Sequence, residues 1–320
     1  MASEHTRQWI DEICGCGPRA LDDYQSEPAR WCMGCGDHGV LTALQRLLLS
    51  RDVAPESVVV VSGIGCSSRM PHYIKTYGFH TIHGRALPVA TGITLARPDL
   101  RVIVVMGDGD CFSIGGNHWL HAIRYNINAM VLVLDNEIYA LTKNQASPTT
   151  PAGRATNTTP RGALLGALNP LSVMTGMTNL SFLAQSATWY PGHLDAVLAR
   201  AWEHHGLGFV RILQRCPVYM ADAFGGGGHD HPAVFLEHER GIPVDPATAR
   251  RAGTRRHDPA DIHAARQVAH GEHPAPMGLL YHNPALPAYS DLWREAIDTP
   301  DRATYQRRLA DRLDRYAINA

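Results

Sequence analysis

Two pairs of residues in this 320-residue sequence have the types and setting to do chemistry: Asp108 with Asn136, and Cys32 with Cys35. Gly107-Asp108-Gly109 closes one apolar run and Asn136 closes the next. A carboxylate and an amide oxygen are hard donors of the kind magnesium takes, with phosphate oxygens completing the shell. Gly109 and the later Gly115-Gly116 let backbone come close to a diphosphate, and a helix beginning near Asn117 adds free N–H groups. A lone Gly-Asp-Gly is equally a glycine-rich turn with a surface aspartate. The paired asparagine at the end of the following run favours the metal and diphosphate reading.

The chain has seven cysteines, an odd number. Its start, MASEHTRQWIDEICGCG, lacks a basic end followed by an apolar stretch, so no signal peptide is expected and the protein should be cytoplasmic. In a reducing compartment cysteines are metal ligands, reactive thiols or core residues before they are disulfides. Cys32-x-x-Cys35 can grip one metal centre, and alone it is ambiguous between zinc, a redox disulfide and iron–sulfur. A thioredoxin-type role fits poorly, because no strand of a βαβ start precedes the motif. Cys66, and Cys216 with Pro217 behind it, each follow an apolar run. Four thiolates could meet there, the usual complement of a [4Fe–4S] cluster, with structural zinc as the alternative. Cys111 reads as a small buried residue beside the diphosphate loop, and Cys14 and Cys16 have no assigned role.

These residues need elements to carry them. Four short, β-branched runs, Ser57–Val61, Arg101–Met106, Met130–Leu134 and Gly208–Leu213, read as buried parallel strands. Val40–Leu49, His118–Tyr125 and His193–His204 between them can be helical. The alternation predicts an α/β fold with a doubly wound, mostly parallel sheet. Each strand runs into a chemically loaded segment, GIGCSSR, GDGD, DNEIYALTK or QRCP, and ligands of such sheets bind beyond the carboxyl ends of the strands. Glycines 225–228 mark a flexible break, after which arginine, histidine and proline dominate. The expected organisation is an N-terminal extension over 1–30, the ligand-binding domain over 31–224, and a C-terminal extension over 225–320 that docks on the core or on a partner. Near its end Tyr305, Leu309, Leu313 and Tyr316 share one helical face.

Longer stretches are more specific: WCMGCGDHGVL, SGIGCSSRMPHY, HTIHGRALPVATGITLARPDL, GDGDCFSIGGNH and DNEIYALTKNQASPTTP. From Trp31 to Tyr219 the chain resembles the β subunits of the two-subunit 2-oxoacid:ferredoxin oxidoreductases. The departures are CMGC for CPGC, Arg124-Tyr125-Asn126 for RRN, and YALTKNQ for YGLTKGQ, where Ala140 and Asn144 replace glycines and should stiffen the loop. The resemblance implies a thiamine-diphosphate-binding fold in which Asp108, Asn136 and the carbonyl of Ile138 hold Mg2+. It implies a [4Fe–4S] cluster on Cys32, Cys35, Cys66 and Cys216. Gly65, Cys66, Ser67, His83, Gly107, Gly109 and Asp110 are the positions implied to lie against the cofactor. Arg69 and Lys143 are implied to lie near the anionic 2-oxo acid, which an arginine fork or a lysine charge can hold. His83 is a further candidate, although it could equally be a hydrogen-bonded core histidine, as Arg85 could merely cap a helix.

Composition adds boundaries. A net charge of −1 offers no electrostatic footprint for nucleic acid, and no apolar run is long enough to span a membrane. Charged residues make up only 18% against 45% hydrophobic, which suggests surface covered by a partner. Thiamine enzymes resembling this one need a second domain whose glutamate protonates the aminopyrimidine ring, and 320 residues leave little room for it. An obligate α subunit is therefore expected, as αβ or a dimer of αβ. The implied reaction is oxidative decarboxylation of a 2-oxo acid, 2-oxoglutarate first, with coenzyme A taking the acyl group and ferredoxin the electrons. Pyruvate and branched-chain or aryl 2-oxo acids are the alternatives within the family. A non-redox thiamine decarboxylase would need no four-cysteine set, and a zinc-stabilised nucleotide-binding regulatory module would need no thiamine. Arg250–Arg256 could attract acidic ferredoxin or coenzyme A phosphates, or be a solvated face.

Overall fold

The computed structural model describes residues 19–226, 232–271, 274–297 and 301–316, so Cys14, Cys16 and part of the glycine run lie outside the described residues. The chain opens with α1 (Asp37–Ser50) and β1 (Val58–Ser62), then β2 (Tyr77–His80), α2 (Ala86–Ala96), β3 (Arg101–Gly107), α3 (Gly116–Tyr125) and β4 (Ala129–Asp135). A small hairpin follows, β5 (Ile138–Tyr139) with β6 (Gln145–Ala146), and then α4 (Pro170–Thr175), β7 (Phe182–Ala187), α5 (Pro191–Glu203) and β8 (Leu207–Leu213). The last third supplies β9 (Ala233–Glu237), α6 (Pro246–Ala252), β10 (Thr254–Arg256), α7 (Ile262–His270), β11 (Ala275–His282), α8 (Tyr289–Ala296) and α9 (Arg302–Asp314).

Nine strands form one sheet in the order β10-β9-β11-β7-β8-β4-β3-β1-β2, parallel throughout except where β11 runs against β7. The four runs of the sequence analysis are β1, β3, β4 and β8, and they are consecutive neighbours in the sheet, with β2 alone beyond β1. Their side chains alternate between two cores, as strands covered on both faces require. Val59, Val61, Val104, Val131 and Phe209 pack on one side with α2, α3 and α7; Val58, Val60, Ile103, Leu132 and Ile212 pack on the other with α1 and α5. Burial of this order, at about 25 cal/mol per Å2 of apolar surface, is what fixes the register.

Residues 233–282, within the stretch set apart as a C-terminal extension, contribute three of the nine strands. β11, eight residues that are almost all buried, pairs with β7 and carries β9 on its far side. The stretch from 301 is different. Tyr305, Leu309 and Leu313 lie on α9 as expected, Tyr316 falls in the turn after it, and all four are exposed, Tyr316 at 84%. Among the described residues no helix is long and apolar enough to cross a membrane.

Register puts the carboxyl ends together. Ser62 pairs with Val105, Gly107 with Leu134, and Asp135 with Leu213. The segments after β1, β3, β4 and β8 therefore leave the sheet side by side.

Candidate active site at the carboxyl edge of the sheet

A cavity of about 340 Å3 opens where those segments diverge. Ile64 through Ser67 line it from β1, Gly107 through Asp110 from β3, Asn136 and the β5–β6 hairpin from β4, and Gln214 from β8. His83 closes one side. Gly109 is required here, because a Cβ on it would fall 2.0 Å from the Tyr139 ring, whose hydroxyl donates to the Gly109 carbonyl at 3.1 Å.

Asp108 sits at the floor, buried, beside Asp135. Thr149 Oγ1 lies 2.9 Å from Asp108 Oδ2 and 2.9 Å from Asp135 Oδ1, and its single proton serves one carboxylate at a time. Asp135 is neutralised by Arg211, whose Nε and Nη2 donate to its Oδ2 at 2.8 and 2.6 Å. Asp108 has no ion-pair partner among the described residues. Burial, and then the Asp135 charge, push its carboxyl up to about 7. Nearby Asn136 Oδ1 accepts from the Ile138 amide at 3.2 Å, a local turn that fixes the amide oxygen and leaves its second lone pair. A buried carboxylate without a cation, next to an oriented amide oxygen, is a donor set that fits a hard divalent ion.

Asp110 is arranged differently. Its Oδ1 is 2.6 Å from His83 Nδ1, and it accepts from the Gly84 amide at 2.6 Å and the Ile64 amide at 3.2 Å. The carboxylate thereby ties the loop before Cys66 to the His83-Gly84 turn. Two glycines make the approach possible. At Gly63 a Cβ would fall 2.1 Å from Asp110 Oδ2, and at Gly84 (φ +73°) it would fall 2.6–2.7 Å from Ile114 and Gly115.

The four candidate ligand cysteines lie around the neighbouring end of the site. Cys66 lines the cavity, and its carbonyl accepts from the Trp31 indole at 2.7 Å, which ties the Cys32–Cys35 segment to it. The Cys35 amide donates to the Cys32 carbonyl at 3.1 Å, and the Tyr219 amide to Cys216 Sγ at 3.4 Å. Burial pushes the Cys66 thiol up to about 12, with Asp37, Cys216 and Cys32 adding to it, and burial likewise raises Cys35, with Asp37 and Cys66 contributing. Cys35 and Cys66 are thus held as neutral thiols unless a cationic centre displaces their protons. Among the described residues no three His, Cys, Asp or Glu side chains are gathered closely enough to hold a single metal ion. Asp37, wholly buried at the start of α1, has its own carboxyl pushed up to about 6 by burial, against the pull of Gln214 and Cys35.

The remaining expected residues are more dispersed. Arg69 lines a second cavity of about 480 Å3 with Arg30, His72 and His80; the two cavities share Ile64, Gly65 and Leu141. Lys143 is exposed at the hairpin turn and lines neither cavity. Cys111 is fully buried. Asp135, Thr149, Arg211 and Gln214 were not singled out from the sequence. Asp135 and Thr149 lie inside stretches read for other residues, and the Arg211 pairing depends on β4 meeting β8, which no local pattern announces.

Residues 63–212 match the family described as thiamine pyrophosphate enzyme, C-terminal TPP binding domain. The 2-oxoglutarate oxidoreductase subunit KorB of Mycobacterium tuberculosis is 46% identical over 231 residues, 71% of this chain, which spans 61% of that subunit's length. The 2-oxoacid:ferredoxin oxidoreductase 2, subunit beta, of Aeropyrum pernix is 36% identical over 274 residues, 85% of this chain and 86% of that one. Among solved structures, a 2-oxoglutarate:ferredoxin oxidoreductase from Magnetococcus marinus with 2-oxoglutarate, coenzyme A and succinyl-CoA bound matches with a TM-score of 0.77 at 35% identity. That match covers 90% of this chain and 94% of the other.

Proposed function

The chain belongs to the β subunits of the 2-oxoacid:ferredoxin oxidoreductases, and on that footing we propose that its cavity is the thiamine-diphosphate half-site of an enzyme oxidising 2-oxoglutarate to succinyl-CoA and CO2. The observation that carries the proposal is Asp108, a buried carboxylate with no cationic partner among the described residues, set beside Asn136 in a cavity that Cys66 also lines. Asp108, Asn136 and the Ile138 carbonyl would hold Mg2+, and Gly107 and Gly109 would admit the diphosphate. Cys32, Cys35, Cys66 and Cys216 would hold a [4Fe–4S] cluster. When bound, the thiamine supplies the electron sink for decarboxylation and the cluster the single-electron steps toward ferredoxin, with coenzyme A taking the acyl group.

The chain's own residues then orient and select. Arg211 cancels the charge of Asp135, so that the cation requirement falls on Asp108 alone. Asp110 holds His83 in one orientation at the cavity wall and fixes the loop that leads into Cys66. Arg69 and Arg30 line the adjoining cavity and outnumber its one carboxylate, Glu27, which favours a substrate with a second carboxylate over a monocarboxylate. Lys143 reaches substrate only from the hairpin turn, with the partner subunit in place. The domain division follows the same reading: residues 31–224 carry the site, and 225–320 widen the sheet and offer α8 and α9, with Trp293 and Leu309 exposed, to the partner. The complex would work in the cytoplasm.

The test is a visible spectrum of the anaerobically purified complex, co-expressed with its α subunit, in the presence of coenzyme A. A brown protein that bleaches with 2-oxoglutarate and not with pyruvate is the expected result. Bleaching with pyruvate alone would overturn the substrate, and a colourless zinc protein would overturn the oxidoreductase reading.

A further inference from the structure

The hairpin β5–β6 forms a wall of the cavity, with Tyr139, Leu141, Thr142 and Gln145 on its lining. Its turn holds two consecutive non-glycine residues in the left-handed region, Lys143 at φ 70° and Asn144 at φ 63°. Side chains disfavour that conformation, and two in a row persist only where the surroundings impose them. The restraint comes from outside the cavity. The Asn157 amide donates to the Asn144 carbonyl at 2.7 Å, and Asn157 Nδ2 donates to the Lys143 carbonyl at 2.7 Å. Next to it, Thr158 Oγ1 accepts from the Ala146 amide at 3.0 Å. Asn157 is presented by a tight knot, in which the Thr156 amide donates to the Thr159 carbonyl at 3.1 Å and the two hydroxyls lie 2.8 Å apart. Arg154 moors the loop by pairing with Asp222 at 2.7 Å and donating to the Tyr219 carbonyl at 3.3 Å, in the segment that follows Cys216.

We propose that Asn157 is a positioning residue for substrate binding: it clamps the Lys143–Asn144 turn left-handed and so fixes the hairpin as the cavity wall. The inference rests on the reading of that cavity as the thiamine-diphosphate half-site, with the 2-oxo acid entering from the adjoining Arg69 cavity, which Leu141 of the hairpin also lines. It also gives Asn144 a meaning. Glycine would take this conformation freely, whereas asparagine takes it with help, so the clamp and the residue type are coupled.

The experiment compares N157A, N144G and the double variant in the co-expressed, cofactor-loaded complex. Amide hydrogen exchange is followed over residues 139–146, and kcat and KM for 2-oxoglutarate are measured with a viologen acceptor. N157A removes one hydrogen bond and should raise KM and speed exchange of those amides by about tenfold, with kcat within about twofold. N144G alone should stay within about twofold of wild type, and added to N157A it should recover at least about threefold in KM, because glycine needs no clamp. N157A with unchanged exchange and KM would overturn the proposal, as would a double variant no better than N157A. A wild-type complex inactive on every 2-oxo acid would instead overturn the proposed function, and the exchange data alone would then decide on the clamp.

Discussion

The Nδ1 of His83 stands 2.6 Å from Oδ1 of Asp110, a buried carboxylate that also accepts from the Gly84 and Ile64 amides. Against an ionised Asp110 the imidazole must place its proton on Nδ1, which leaves Nε2 as the acceptor on a ring lining the cavity. One carboxylate therefore sets the tautomer of His83 and the path of the chain into Cys66.

Replacing Asp110 by asparagine keeps the size and one acceptor oxygen but removes the charge that holds the imidazole proton. The D110N complex should lose about 100-fold in kcat for 2-oxo-acid-dependent viologen reduction, the low end of what a positioned acid or base contributes. H83A should lose a similar factor, and the double variant little more than either, since both changes disable one unit. Independent, multiplying losses in the double variant would show that Asp110 acts only by shaping the loop.

Much of this site was legible before any coordinates. Valine-rich runs ending in Gly107-Asp108 and Asn136 specify buried parallel strands, and parallel strands bring their carboxyl ends to one edge. What stayed illegible was non-local. β7 has no strong alternation and is a strand because β8 and β11 flank it. β11 was hidden in a tail whose arginines and histidines dominate its composition. Asp110 read as one more cofactor contact, because nothing in GDGD says that its second aspartate turns toward Ile64 and Gly84. The pairing of Arg211 with Asp135 follows from strand register, which sequence spacing does not encode.

Asp108 gives a prediction with opposite signs in the empty and loaded protein. Its carboxyl is raised from 3.8 to about 7, so the folded chain binds a proton more tightly than the unfolded chain. Stability from this group is therefore lost as pH rises from about 4 to about 7. At pH 8, D108N without cofactor should be more stable than wild type, by roughly 2 kcal/mol after allowance for Thr149. With Mg2+ and thiamine diphosphate added the order should reverse, because only the wild type is stabilised by binding. Thermal melts of both proteins, with and without the pair, read this directly. A D108N melt that rises with cofactor as much as wild type would remove Asp108 from the ligand set.

Two histidines far from the cavity act in the other direction. His193 and His204 are buried, each ring nitrogen 2.8 Å from a serine hydroxyl, Ser186 and Ser181 respectively. Burial lowers them from 6.5 to about 4 and about 3. Here the unfolded chain binds the proton more tightly, so stability is present above about 6.5 and is lost as pH falls toward 4. At pH 5 each should cost about 1–2 kcal/mol relative to pH 7.5. Because the raised carboxylates of Asp37 and Asp108 oppose this trend, the clean measurement is a difference. H193Q should lose less melting temperature than wild type between pH 7.5 and pH 5, and equal losses would mean that His193 is not held neutral.

Cys66 and Asp108 line one cavity, and the proposed function puts them in different ligand sets, a separation that can be tested. Cys66 contributes a thiol, while its carbonyl accepts from Trp31 at 2.7 Å, so a serine at 66 keeps the backbone tie between β1 and the Cys32–Cys35 segment. In C66S the complex should lose most of its iron, about 4 atoms per cluster, together with its visible absorbance. The melting shift on adding Mg2+ and thiamine diphosphate should survive, because Asp108, Asn136 and Ile138 are untouched. Electron transfer to viologen would then fail even though 2-oxo acid still binds. If C66S kept its iron and colour, Cys66 would be a cavity-lining thiol and not a ligand. If it lost the cofactor shift as well, the two centres would be one folding unit, and the cluster would be needed to build the cavity that the aspartate serves.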